Sequence, residues 1–143
     1  MAIKQISVLL ENKPGRLAKV SEILGKEGIN IRAISVADTA DFGIVRIIVD
    51  DTEKAIRILS TTGLPVRESE VIAVETPDHP GGLASVLKPL SEADINVEYL
   101  YTSLQHHGEN AILIMKVNKM EEAIEVLKKN WFKIVEEEKL WWE

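Results

Sequence analysis

The sequence predicts an α+β protein made of two βαββαβ units in tandem, and three observations lead there. The first is internal repetition: Asn12-Lys13-Pro14-Gly15-Arg16-Leu17-Ala18 returns as Asp78-His79-Pro80-Gly81-Gly82-Leu83-Ala84. Ile29-Asn30-Ile31 returns at the same spacing as Ile95-Asn96-Val97, and Glu53-Lys54-Ala55-Ile56 as Glu121-Glu122-Ala123-Ile124 at a spacing two residues longer. The loop Gln105-His106-His107-Gly108 accommodates the two extra residues, as surface loops accept insertions. The second is an alternation, inside each copy, between short β-rich runs and apolar residues at helical spacing. The third is the punctuation between them, where Pro, Gly, Asn and Asp gather.

In the first copy, Ile6-Ser7-Val8-Leu9-Leu10 reads as a strand that ends at a polar, proline-containing loop. Leu17, Val20 and Leu24 follow at helical spacing, with Ala18 and Ile23 beside them. Gly28 stands where a left-handed C-cap favours glycine. Residues 29–36 and 43–49 read as strands joined by the turn Asp38-Thr39-Ala40-Asp41. Asp50, Asp51 or Thr52 can cap a second helix carrying Ala55, Ile56 and Leu59, and Leu64-Pro65-Val66 opens a fourth strand after Gly63.

The second copy gives strands over 71–75, 95–103, 111–117 and 132–135, and helices over about 80–93 and 119–129. Pro89 falls where Ile23 lies in the first copy, so a bend is expected there and, with it, a differently shaped site nearby. The expected boundaries are residues 1–70 and 71–143. A unit of this size buries only about 60% of the surface of its unfolded chain, and the short link between the two favours packing of one on the other. The tail Lys139-Leu140-Trp141-Trp142-Glu143 is expected to pack on the body or on a second chain.

Composition narrows the function. Hydrophobic residues are 45% and charged residues 28%, as in a soluble globular protein. A net charge of −6 offers no electrostatic footprint for a phosphate backbone, so no nucleic-acid partner is expected. The absence of cysteine excludes disulfides, thiolate nucleophiles and cysteine-based zinc sites. The first residues lack a signal-peptide pattern and no apolar run approaches a bilayer span, so a cytoplasmic protein without a membrane partner is expected.

The strand-to-helix corner, Glu11 to Gly15 and its echo Thr76 to Gly81, carries the legible chemistry. Asn12 or Asp78 can cap the following helix or hold a polar ligand group. Pro14 and Pro80 suit the first helical position, where an N–H would have no partner. Gly15 and Gly81 lack a Cβ, which lets a ligand or a second backbone approach. The helix start offers N–H groups and a positive dipole end to a carboxylate.

A strand, then Asn/Asp-x-Pro-Gly-x-Leu, then a helix and a Gly-Ile-Asn-Ile strand resembles the ACT domain, and the resemblance covers nearly the whole chain twice. It is nearest to stand-alone tandem ACT proteins with no attached enzyme. The resemblance implies ferredoxin-like βαββαβ repeats, with helices on one face of antiparallel sheets that pair side by side. It further implies an amino acid bound at the seam, between the Pro-Gly corner of one module and the second strand of its neighbour. Carried over, one site would use Asn12, Pro14, Gly15, Arg16 and Leu17 with Asn96 and Val97. The other would use Asp78, Pro80, Gly81, Gly82 and Leu83 with Asn30 and Ile31. The two differ, since Asn12 is neutral where Asp78 is charged, and Arg16 stands where Gly82 does. An ammonium suits the Asp78 corner and Arg16 attracts a carboxylate to the first. The expected function is a small-molecule sensor, most simply a homodimer and with a possible enzyme partner. The alternative is a regulatory interaction subunit of an amino-acid biosynthetic enzyme that binds no ligand.

Other candidates carry less. Neighbouring strand residues point to opposite faces, so His106 and His107 are poorly placed to share a metal ion, and His79 reads as an exposed turn residue. The serines lack a nucleophile signature and no Walker A loop occurs, so neither catalysis nor a cofactor or metal is expected. Met115 and Met120 follow the apolar periodicity into the core, and Glu136-Glu137-Glu138 reads as a solvated strand end.

Overall fold

The computed structural model of the chain describes residues 2–38 and 41–136. They fall into two compact units, one of Lys4–Ser69 and one running from Glu70 onward with the N-terminal residues through Ile3. The order is β1 (Ile3–Glu11), α1 (Arg16–Lys26), β2 (Ile31–Asp38), β3 (Phe42–Val49), α2 (Thr52–Ser60) and β4 (Val66–Pro77). It continues with α3 (Gly82–Glu92), β5 (Val97–His107), β6 (Asn110–Val117) and α4 (Met120–Lys129). The α+β reading and the duplicated βαββαβ order therefore hold.

In the first unit β3 lies between β1 and β2, antiparallel to both, with Ile6 opposite Ile47 and Ile34 also opposite Ile47. Leu9 N–H donates to the Pro65 carbonyl at 3.1 Å, which sets the start of β4 beside β1. The second unit repeats the plan, with β6 between β4 and β5. Glu75 N–H donates to the Lys133 carbonyl at 2.9 Å, the counterpart of the Leu9 bond.

Two strand readings are corrected. The fourth strand of the first copy and the first strand of the second are one strand, β4, because Arg67-Glu68-Ser69-Glu70 contains no breaker and extends freely. Residues 132–135, read as a strand, make only one antiparallel bridge, Val74 with Ile134. The turn between β2 and β3 and the tryptophan tail lie wholly or partly outside the described residues.

Strand alternation then builds each core. Ile6, Val8 and Leu10 of β1 and Val45, Ile47 and Val49 of β3 share one face, buried beneath Val20 and Leu24 of α1 and Ala55 and Leu59 of α2. Ile72 and Val74 with Leu113, Met115 and Val117 do the same beneath Val86, Leu90, Ala123 and Leu127. Each large side chain so buried contributes about 1.5–3 kcal/mol. Leu17, read with the core stripe, is instead 40% exposed, and its counterpart Leu83 is 44% exposed. One turn into each helix is where the stripe reaches the sheet.

The helix ends show how the copies diverged around one solution. After α1, Gly28 takes φ 74°, its N–H bonds the Gly25 carbonyl at 3.1 Å and Ile29 N–H bonds Leu24 at 3.0 Å. This is a Schellman closure with its apolar contact, Ile29 against Leu24. After α3 the same two bonds form, Asp94 to Ser91 at 3.0 Å and Ile95 to Leu90 at 2.9 Å, but the left-handed residue is Asp94 at φ 58°. α3 itself runs through Pro89 to Glu92 without being broken.

The following helix starts differ in a compensating way. Asp51 caps α2 by accepting from Lys54 N–H at 3.2 Å, while Lys54 Nζ donates to the Glu27 carbonyl at 2.7 Å. In the second copy a lysine stands at the cap itself, and Lys119 Nζ donates to the Asp94 carbonyl at 3.2 Å. The charges have exchanged places, and an ammonium still covers the end of the preceding helix.

A β-carbon in the left-handed region costs roughly 1–2 kcal/mol. Asp94→Gly, which restores the residue of the first copy, is therefore expected to stabilise the protein by about 1 kcal/mol. Urea unfolding that finds no gain would show that Asp94 makes contacts outweighing its backbone strain.

Candidate functional site

Both corners are type II turns. Lys13-Pro14-Gly15-Arg16 closes through Arg16 N–H to the Lys13 carbonyl at 3.3 Å, with Gly15 at φ 85°, ψ −13°. His79-Pro80-Gly81-Gly82 closes through Gly82 N–H to the His79 carbonyl at 2.9 Å, with Gly81 at φ 84°, ψ −5°. The N-caps are thus Gly15 and Gly81, with no side-chain cap. Two expectations change accordingly. Pro14 and Pro80 precede the helix as the second residue of the turn, where their fixed φ is also favourable, and Asn12 and Asp78 lie too far back to cap it. The positive φ requires glycine, and nothing lies within 4 Å of where a Cβ would stand on Gly15 or Gly81. Each glycine therefore presents an open backbone face.

The helix ladders begin with Lys19 N–H to the Gly15 carbonyl and Ser85 N–H to the Gly81 carbonyl, both at 3.0 Å. The N–H groups of Leu17 and Ala18, and of Leu83 and Ala84, precede the ladder and sit at the positive end of the helix dipole. Beside them Leu17 and Leu83 offer half-exposed apolar surface. Each corner so combines donors, open backbone and one leucine, which suits a small molecule with an anionic and an apolar end.

The charges around the two corners differ. At the first, Glu11 sits between Lys13 Nζ at 3.0 Å and Arg16 Nη2 at 3.4 Å. The Lys13 hydrogen bond and charge, then the Arg16 charge, hold the exposed Glu11 carboxyl below its usual range. Arg16 is therefore engaged by Glu11, and a ligand carboxylate has to compete for it. Sequence reasoning passed over Glu11 and Lys13, although three charges within six residues of a turn were visible.

At the second corner the counterparts of Glu11, Lys13 and Arg16 are Pro77, His79 and Gly82. A cleft of about 490 Å³ opens there, lined by Pro77, Asp78, His79, Glu109 and Asn110. Asn110 Nδ2 donates to Glu75 Oε1 at 3.3 Å, and the ring of His79 turns back to the Pro80 carbonyl, 3.0 Å from Nδ1. Two carboxylates on this wall favour an ammonium group. Asn110 opens β6 and Glu109 precedes it in the turn from β5, and only strand pairing brings them to the corner, Pro77 opposite Asn110.

Asn30, Ile31, Asn96 and Val97 are elsewhere. Sheet register puts Glu11 opposite Phe42, at the corner, and Ile31 opposite Val49, at the far end of the same sheet. At that end Asn30 N–H donates to Asp50 Oδ1, and at the corresponding end of the second repeat, where Val97 pairs with Val117, Asn96 N–H donates to Asn118 Oδ1, both at 3.0 Å. A second cleft, of about 530 Å³, includes Asn96, Val97, Asp94, Asn118 and Lys119. No single repeat brings its own corner and its own Asn-Ile or Asn-Val pair together. The side chains of His106 and His107 lie outside the described residues, and no metal-binding cluster of His, Asp or Glu occurs among the described ones. No helix among them is long and apolar enough to cross a membrane.

A sequence model of a family described as an ACT domain pair matches residues 1–142. No curated protein matches the chain. Among solved structures, a protein from Bacteroides thetaiotaomicron is 38% identical with TM-score 0.91, over 99% of this chain and 96% of that one. The ligand-free regulatory subunit of aspartate kinase from Thermus thermophilus shares the fold at 18% identity and TM-score 0.67, over 89% and 91% of the two chains. The subunit from Thermus flavus does so at 18% and 0.63, over 90% and 92%.

The second corner closes tightly on Gly82, where a Cβ would lie 1.9 Å from the Pro77 carbonyl oxygen. Gly82→Ala is expected to destabilise by about 1–3 kcal/mol through overpacking and to spread the corner. Gly81→Ala, with open space but positive φ, costs about 1–2 kcal/mol through backbone strain alone. Crystal structures of the two variants test this, since only Gly82→Ala should displace Pro77.

Proposed function

The chain belongs to the ACT domain pair family, and from that membership we propose that it is a non-catalytic regulatory protein that binds an α-amino acid at its Pro-Gly corners. The observation that carries this reading is the corner itself, formed twice from different residues. In both copies a left-handed glycine bares the backbone, a helix start aims N–H groups outward and a leucine is left half exposed. The ligand carboxylate takes the N–H groups of the first helical turn, its side chain lies on Leu17 or Leu83, and Asn12 or Asp78 meets its ammonium. Arg16 and Gly82 set the reach of each corner. Register separates Asn30 and Ile31, and Asn96 and Val97, from the corner of their own repeat, so within one repeat they take no part in its corner.

The corners are unequal in this reading. The second has two carboxylates, Asp78 and Glu109, to hold an ammonium, and the first has its cations already occupied by Glu11. The Asp78 corner is the tighter site. A homodimer and an enzyme partner belong to the same proposal. The fold shared with aspartate kinase regulatory subunits supports a second reading, that the chain docks on a biosynthetic enzyme without binding a ligand.

A ligand that binds only the native state raises the melting temperature, so a thermal-shift screen of the twenty amino acids separates the readings. At least one amino acid is expected to stabilise the protein; no shift with any of them rejects the sensor. For the amino acid found, Asp78→Asn removes a charged hydrogen-bond partner worth about 1.5–3 kcal/mol, a loss of about 10- to 100-fold in affinity by calorimetry. Asn12→Ala is expected to cost less. Two equal sites in the wild type would reject the asymmetry.

A further inference from the structure

The end of α4 holds a residue that local structure does not favour. Trp131 has φ 65°, in the left-handed region, and is 94% exposed. Its N–H donates to the Lys128 carbonyl at 3.0 Å, and Phe132 N–H closes on Leu127 at 3.0 Å, so Trp131 occupies the position of a helix-ending glycine. In the first copy that position is Gly63, at φ 80°. Leu64 and Phe132, the next residues, both pack on their cores. The second copy thus replaces an unstrained glycine with a strained tryptophan whose side chain is almost fully exposed.

The solvent face of α4 leads to it. Glu121, Glu122, Glu125, Lys128 and Lys129 are all exposed, and spacings of three and four place them on one stripe. The stripe is acidic in its first half and basic in its second, and none of the five forms an ion pair among the described residues. Acids at a helix start and bases at its end are explained by the dipole, but Glu121 beside Glu125 one turn on is a repulsive pair. The dipole gives no reason for Trp131.

We propose that this face of α4, ended by Trp131, is a two-fold interface between two copies of the chain. Antiparallel placement of the two helices about an axis near Glu125 and Val126 sets the acidic half of each against the basic half of the other. The same patch serves both partners, as a closed two-fold contact requires. Each Trp131 then reaches the first turn of the partner's α4 and supplies the apolar anchor that charged stripes lack. One helix face is small beside the roughly 800 Å² per partner of a stable complex, so the dimer is weak and salt-sensitive. This contact gives the homodimer proposed above its surface and involves none of the corner residues, so its failure leaves amino-acid binding at the corners untouched.

Sedimentation equilibrium of the full chain tests it. The wild type should show a concentration-dependent monomer–dimer equilibrium that weakens as salt is raised. Trp131→Gly should raise the melting temperature, by restoring the residue of the first copy, yet weaken dimerisation at least tenfold. One variant with Lys128→Glu and Lys129→Glu and another with Glu121→Lys and Glu125→Lys should each be monomeric alone and pair when mixed. A wild type that stays monomeric, a dimer unchanged by Trp131→Gly, or charge variants that fail to pair on mixing while folded would each overturn the interface. A lower melting temperature for Trp131→Gly would overturn it too, by showing that the tryptophan supports its own fold.

Discussion

The left-handed glycine at each strand-to-helix corner is the constraint on which the rest of each repeat depends. At φ near 85°, Gly15 and Gly81 turn the chain from the end of a strand into a helix that lies across the sheet. That direction lands Val20 and Leu24, or Val86 and Leu90, on the apolar face of the sheet and completes the core. It also leaves Leu17 and Leu83 outside and points the first helical N–H groups away from the core. Stability and the candidate binding chemistry thus follow from one backbone conformation that side chains with a Cβ adopt only under strain.

Duplication makes the chain its own control. Wherever the two copies agree, a structural requirement is the simplest account: the type II turn, the Schellman closure after the first helix, and the ammonium that covers that helix end. Lys54 and Lys119 perform the last task from different positions, so the interaction is kept while the residue moves. Where the copies disagree at a cost, structure alone is a poor account. Asp94 and Trp131 both sit where the first copy has glycine, and Asp94 at least gains the Lys119 contact in return.

The corners illustrate how little change separates two binding chemistries. Replacing the Glu11, Lys13, Arg16 cluster by Pro77, His79 and Gly82 removes an exposed ion network and draws the loop in against Gly82. The backbone path survives because the Pro-Gly pair alone dictates the turn. What changes is the charge seen by a ligand at the same N–H groups.

By itself, the sequence determined the duplicated βαββαβ order, the two corners and the glycine that ends the first helix. All of these rest on short-range chemistry: apolar periodicity, the φ preferences of Pro and Gly, and helix-end bonding. Tertiary structure decided the rest. That β4 is one continuous strand, that residues 132–135 form a single bridge, and that Glu109 and Asn110 join the second corner depends on which strands pair and in which register. It also decided that Asn30 and Asn96 stand at the far end of the sheet from their own corners. Register depends on contacts between residues distant in the chain, and no local preference encodes that separation.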